Sequence, residues 1–171
     1  MSTPLTCCFT GHRTLNLRTL PQLKQALSKS IEQLILAGYT SFGSGGALGF
    51  DLLAAEAVIK LKETYPDISL FLALPCRNQT KFWSEEQQKA YQRILSCSDE
   101  IVYTAEHYYT GCMHVRNRYL ISRATCFLAY LTQETGGTKY TVSEAEKAGK
   151  PVLYITDDPV IEPPPLQLSL L

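Results

Sequence analysis

The chain lacks net charge: sixteen Lys and Arg offset sixteen Asp and Glu in 171 residues. A neutral chain projects no long-range field toward polyanions, so neither general nucleic-acid binding nor binding to anionic membranes is expected. No apolar run approaches the length of about eighteen residues that a membrane-spanning helix needs. The opening stretch, MSTPLTCCFTGHR, has no basic segment followed by a long apolar one, so no secretory signal is expected and the cytoplasm is the expected compartment. The six cysteines include no C-x-x-C pair, and Cys7 and Cys8 are adjacent within an apolar run. Reduced thiols are therefore expected rather than disulfides or a zinc site. The three histidines, His12, His107 and His114, share no metal-ligand spacing, and no Ser-His-Asp arrangement suggests a hydrolase triad. Neither a metal nor a cofactor is expected.

What is present is an alternation of short apolar runs with segments of helical spacing. Leu5–Phe9, Tyr39–Phe42, Ser69–Leu74, Glu100–Tyr103, Cys126–Leu131 and Pro151–Ile155 read as strands. Pro21–Gly38, Phe50–Tyr65, Trp83–Ser96, Cys112–Arg123 and Thr138–Gly149 read as helices. Runs such as SLFLAL and CFLAYL are apolar throughout, as in a sheet covered on both faces. The alternation predicts an α/β fold, a three-layer sandwich around a mostly parallel sheet of about six strands. Residues 1–156 are expected to form this domain, with the proline-rich stretch 157–171 a tail outside its core.

In such a sheet ligands sit beyond the carboxyl ends of the strands, so the segments after strands are the candidates. Thr10-Gly11-His12-Arg13 follows the first strand: Gly11 permits close approach, His12 supplies a donor, and Arg13 can grip a phosphate bidentately. After the second strand, Gly43-Ser44-Gly45-Gly46-Ala47-Leu48-Gly49-Phe50-Asp51 enters a helix. Four glycines in seven residues suggest a cradle of free backbone N–H groups for phosphate, with Asp51 as a cap or a partner of ribose hydroxyls. The stretch is not a Walker loop, since no Lys follows, and its glycines do not fit G-x-G-x-x-G. Met113-His114-Val115-Arg116-Asn117-Arg118 follows Tyr108-Tyr109, whose rings can stack on a base. Finally, Thr135-Gly136-Gly137-Thr138 opens the last helix as a second anion nest, with Thr141 and Glu144 near one face of its first turns.

These four segments, in this order, resemble the SLOG superfamily of Rossmann-like nucleotide-binding domains, and most of all its YpsA-like branch of bacterial and phage proteins. The resemblance spans residues 5–155. Ser44–Asp51 and Arg116–Arg118 are also similar to segments of the DNA-processing protein DprA. Met113-His114-Val115-Arg116 and Gly136-Gly137 with Thr141-x-x-Glu144 are similar to the two motifs of the LOG phosphoribohydrolases. Asn117 stands in place of their Lys and Thr135 in place of their Pro, and Glu144 lies one residue further along.

The resemblance implies a domain that binds or senses a nucleotide derivative such as ADP-ribose, an NAD fragment or a nucleoside phosphate. The expected ligand-binding residues are Gly11, His12, Arg13, Ser44, Gly45, Gly46, Ala47, Gly49, Asp51, Asn117, Gly136, Gly137, Thr138 and Thr141. The LOG motifs imply an alternative, an N-glycosidase of nucleoside 5′-monophosphates with Arg116 and Glu144 as catalytic residues. The YpsA likeness implies a third, a regulatory protein-interaction module using exposed Tyr103, Tyr108 and Tyr109 and the tail. Homo-oligomers are common among such folds and form a further expectation.

Overall fold

The structure, a computed structural model, describes residues 3–132 and 135–156. Six strands and five helices alternate: β1 (Thr6–Gly11), α1 (Leu20–Leu36), β2 (Ser41–Ser44), α2 (Phe50–Leu61), β3 (Ser69–Leu74), α3 (Glu85–Cys97), β4 (Glu100–Tyr103), α4 (Cys112–Arg123), β5 (Cys126–Tyr130), α5 (Gly137–Lys147) and β6 (Val152–Tyr154). The strands form one sheet in the order β4-β3-β2-β1-β5-β6, every neighbouring pair parallel. This is the Rossmann-like α/β fold that the alternation predicts. The proline-rich tail lies outside the described residues. No helix among those described is long and apolar enough to cross a membrane.

Both faces of the sheet are covered. Helices α1, α2 and α3 pack against one another on one face, and α4 and α5 cover the other. The larger core, on the α1–α3 face, is built on Phe9, Leu27, Ile31, Leu34, Phe42, Phe50 and Leu72. The smaller one gathers Phe71, Leu120, Phe127 and Ala145. Alternation along a strand explains the adjacent cysteines: Cys7 belongs to the first core and Cys8 to the second, so their side chains point to opposite faces. All six cysteines are free thiols.

Where boundaries differ from the sequence reading, pairing or capping decides. β1 runs to Gly11 because its register with β5 continues to Gly11↔Tyr130. β2 lies later than expected because Gly43 and Ser44, assigned from sequence to the glycine-rich loop, pair with Phe71 and Leu72. α3 starts after Trp83 because Ser84 caps it: its Oγ accepts from the Gln87 N–H, and the Gln87 side chain accepts from the Ser84 N–H.

Gly43 is therefore a packing residue. A Cβ there would lie 2.2 Å from the Phe71 ring. Gly43→Ala is expected to destabilise the protein by about 1–3 kcal/mol through overpacking. Urea unfolding should show a lowered midpoint with an unchanged slope.

Candidate functional site

Strand order reverses between β1 and β5, and the chain opens a cavity of about 250 Å³ beyond their carboxyl ends. A parallel sheet leaves its ligand crevice at such a switch point, where successive crossovers diverge to opposite faces. The cavity is walled by Thr10–Arg13 at the end of β1, Ala47 and Asp51 at the start of α2, Met113, His114, Arg116 and Asn117 on α4, and Thr135–Thr138 with Thr141 at the start of α5. The four segments singled out in the sequence thus meet at one place.

They do not contribute alike. Gly11, His12, Arg13, Ala47, Asp51, Arg116, Asn117, Gly136, Gly137, Thr138 and Thr141 line the cavity; Ser44, Gly45, Gly46 and Gly49 do not. The glycine-rich loop is folded in on itself. Ser44 Oγ donates to the Asp51 carbonyl at 2.9 Å and accepts the Gly46 N–H at 3.2 Å. Asp51 Oδ2 accepts the Ala47 N–H at 3.3 Å, and the Phe50 N–H is spent on the His12 carbonyl at 3.1 Å. Gly49 must be glycine, because its φ is +80° and a Cβ would lie 2.3 Å from the Arg13 carbonyl oxygen. Gly49 lets the loop pass against the backbone of His12 and Arg13, and the anion the loop holds, through the Ala47 N–H, is the carboxylate of Asp51 itself.

The turn before α5 is the open one. Gly136 and Gly137 are exposed, with nothing within 4 Å of where a side chain would begin. Among the described residues, no acceptor faces the N–H groups of Gly137 and Thr138, the first two of α5. Such groups, with the positive end of the helix dipole, suit an anion.

Arg116 joins the two halves of the cavity. It is buried, and Nη1 donates to the Gly45 carbonyl. Its Nε donates to Asn117 Oδ1 at 2.7 Å, Asn117 Nδ2 to Thr141 Oγ1 at 3.0 Å, and Thr141 Oγ1 to the Gly137 carbonyl at 3.0 Å. One hydrogen-bonded chain therefore runs from the glycine-rich loop to the α5 turn. Asp51 faces the same spot: a Cβ on Gly45 would lie 2.6 Å from Arg116 Nη1 and 2.8 Å from Asp51 Oδ2. Burial pushes the Asp51 carboxyl above its ordinary range, while Arg116, the Ala47 N–H and Arg13 pull it back. Burial likewise lowers Arg116, Asp51 opposes that, and Arg13 adds to it.

Arg13 is exposed and, with Arg116, brackets the sulfur of Met113, their Nη2 atoms 3.9 and 3.8 Å from Sδ. Sequence reasoning did not include Met113 among the site residues, although its i,i+3 spacing to Arg116 places both on one helix face. His12 packs edge-on against Tyr130, and its Nε2 accepts the Thr132 N–H at 2.8 Å. That bond requires the neutral ring with its proton on Nδ1, and burial lowers the His12 pKa below 6.5.

Glu144 does not line the cavity; its carboxylate pairs with Lys147 at 3.2 Å. Tyr103 is half-buried beneath the Arg77 guanidinium, 4.1 Å above its ring, rather than exposed. Tyr108 and Tyr109 are exposed but stand outside the cavity wall. No group of three or more metal-ligating side chains occurs among the described residues.

The model of the YpsA family, described as "YspA SLOG family", matches residues 7–158. This chain is a member of that family. A UPF0398 protein of Halalkalibacterium halodurans is 34% identical, aligned over 77% of this chain and 71% of its own. The SPbeta prophage-derived protein YoqJ of Bacillus subtilis is 32% identical, over 75% of this chain and 83% of its own. Among solved structures, DNA processing protein A of Helicobacter pylori, described for its single-stranded DNA binding mode, superposes with a TM-score of 0.64 at 22% identity, covering 90% of this chain and 66% of that one. That likeness shows a shared fold. It also corrects the expectation of no general nucleic-acid binding, which was drawn from zero net charge. The same architecture serves a protein that binds single-stranded DNA, and a local site needs no charged surface around it.

The buried charges give a test. Asp51→Asn leaves Arg116 without its counter-charge and is expected to cost about 3–5 kcal/mol. Arg116→Met, a milder change because Asp51 can take up a proton, should act with it less than additively in a double-mutant cycle. The folded-state pKa of Asp51 lies above its ordinary value of 3.8, so the folded chain binds the more protons there, and stability falls as pH rises through that window. Arg116→Met removes the offsetting attraction, so the window should extend upward and the variant's deficit should grow from pH 4 to neutrality in urea titrations.

Proposed function

We propose that this domain binds a phosphorylated nucleoside in the cavity at the β1/β5 switch point. The observation that supports it most is the pairing of an open helix start with two guanidinium groups around one partly engaged carboxylate. The phosphate would lie against the Gly136-Gly137-Thr138 turn, with Arg13 closing over it. Asp51, one oxygen of which takes the Ala47 N–H, would accept from ribose hydroxyls beside Arg116. His12 would offer its Nδ1–H. Asn117 and Thr141 would hold the two walls in register.

The volume narrows the ligand. Small-molecule pockets commonly span ~300–1,000 Å³, and this cavity of about 250 Å³ suits one nucleoside monophosphate better than a whole dinucleotide. An ADP-ribose or NAD fragment would place only one nucleotide unit inside. The likeness to a DprA that binds single-stranded DNA adds the nucleotide unit of a polynucleotide to the same class of ligand. A glycosidase reading requires a carboxylate at the sugar. Among the described residues the one that lines the cavity is Asp51, so Glu144→Gln is expected to leave ligand binding unchanged.

Calorimetry against nucleoside mono- and diphosphates, ADP-ribose and ribose 5-phosphate tests the reading. Binding of a monophosphate is expected, weakened roughly 10- to 100-fold by Arg13→Ala through loss of a charge-assisted bond. No heat with any phosphorylated nucleoside would end it. Protonation of His12, which its burial holds back to a lower pH than for a free imidazole, removes the acceptor of the Thr132 N–H, and the bound-state His12 ¹⁵N signals should show a proton fixed on Nδ1 at neutral pH.

A further inference from the structure

A second set of side chains at the same edge of the sheet lies outside the cavity. The loops after β3 and β4 are fastened together. The Arg77 N–H donates to the Glu106 carbonyl at 3.3 Å, Arg77 Nε to the Glu106 carboxylate at 2.8 Å, and the Tyr108 N–H to Asn78 Oδ1 at 3.2 Å. The turn that follows is pinned as well: Lys81 N–H to the Asn78 carbonyl at 3.3 Å, Trp83 N–H to the Thr80 carbonyl at 3.0 Å, and the Gln88 side chain to the Thr80 and Trp83 carbonyls at 3.2 and 3.1 Å. On this held frame stand three rings in water: Phe82 at 90% exposure, Tyr108 at 62% and Tyr109 at 47%. One exposed ring is ordinary, but three large rings exposed on loops fastened to one another form a patch of the kind that marks an interaction site.

We propose that Phe82, Tyr108 and Tyr109 form a stacking platform for the bases of single-stranded nucleic acid. The charges beside the rings select this occupant over an apolar protein surface. Lys81 Nζ lies 5.4 Å from the Phe82 centroid, and among the described residues it has no ion pair. A ring with a cation beside it suits an unpaired strand, its bases stacking on the aromatic faces and a phosphate meeting the Lys81 ammonium. The platform is continuous with the cavity wall, since the Tyr109 carbonyl accepts at 3.0 Å from the N–H of Cys112, the first residue of the helix that carries Arg116. With so few cations, affinity should be modest and its salt dependence shallow.

Fluorescence anisotropy with a labelled 12-nucleotide oligo(dT), the same sequence as a duplex, and a titration of the free mononucleotide by calorimetry test the proposal. The single strand is expected to bind and the duplex not. Phe82→Ala and Tyr108→Ala should each weaken the oligonucleotide by about 5- to 100-fold, with urea midpoints and mononucleotide affinity unchanged. Oligonucleotide binding that is lost with Phe82, but without any mononucleotide binding, supports the platform and ends the cavity reading. Mononucleotide binding alone does the reverse. Equal binding to the duplex, indifference to both substitutions, or self-association in light scattering that Phe82→Ala abolishes would overturn the platform, the last marking the rings as a contact between copies.

Discussion

The site depends on burying Arg116 beside Asp51. A guanidinium removed from water costs several kcal/mol unless its donors are used and its charge is answered. Here the Gly45 carbonyl and Asn117 take its donors, and Asp51 and the Met113 sulfur stand beside it. Each neighbour is thereby constrained. Gly45 can carry no side chain, Asp51 must turn into its own loop, and Asn117 is committed to bridging Arg116 and Thr141. The relative placement of α2, α4 and the start of α5 follows from these demands. The cavity is the space left between three elements that a single charged side chain holds in register.

This explains which parts of the site could be read from residue order. The fold followed from periodicity: β3, β4 and α4 have the bounds expected, because continuous apolar runs and helical spacing are local signals. That the four segments meet was legible too, since a parallel sheet collects every strand's carboxyl end at one edge. The division of labour among them was not. Glycine enrichment marks both the loop 43–49 and the turn 136–137, yet in the first it relieves crowding and in the second the amides of Gly137 and Thr138 face no acceptor among the described residues. Composition cannot separate these, because the deciding contacts, Gly43 on Phe71 and Gly49 under Arg13, come from residues tens of positions away or on another strand. Glu144 illustrates the same limit: three residues from Thr141 on one helix, it meets Lys147 while Thr141 faces the cavity.

Tyr103 and Phe82 invert a common expectation about aromatics. Tyr103, in a strand, is covered by Arg77 from the loop after β3. Phe82, in a polar turn, remains outside. The sequence signal for the second was present in Lys81-Phe82-Trp83-Ser84, two large rings directly before a helix cap. Of the two, Trp83 packs edge-on against the Tyr91 ring, while Phe82 has the Lys81 ammonium beside it. A cap fixes where the helix begins and so fixes which ring points inward.

Net charge misled for a related reason. The sum over a chain governs the distant field, whereas recognition at a cavity is governed by charges within a few ångströms and by the solvent excluded there. In this chain Lys62, Arg77, Arg93 and Arg123 are engaged by Asp99, Glu106, Glu56 and Glu100, respectively. Arg13 and Arg116 are instead directed at the switch point, where Asp51 is the carboxylate in the lining among the described residues. Neutrality overall is therefore compatible with a positively biased pocket. A phosphate bound there would meet two guanidinium groups and a helix start, with Asp51 turned aside by the Ala47 N–H. In that arrangement the glycine-rich loop would keep the carboxylate out of the anion's way while leaving it within reach of a sugar.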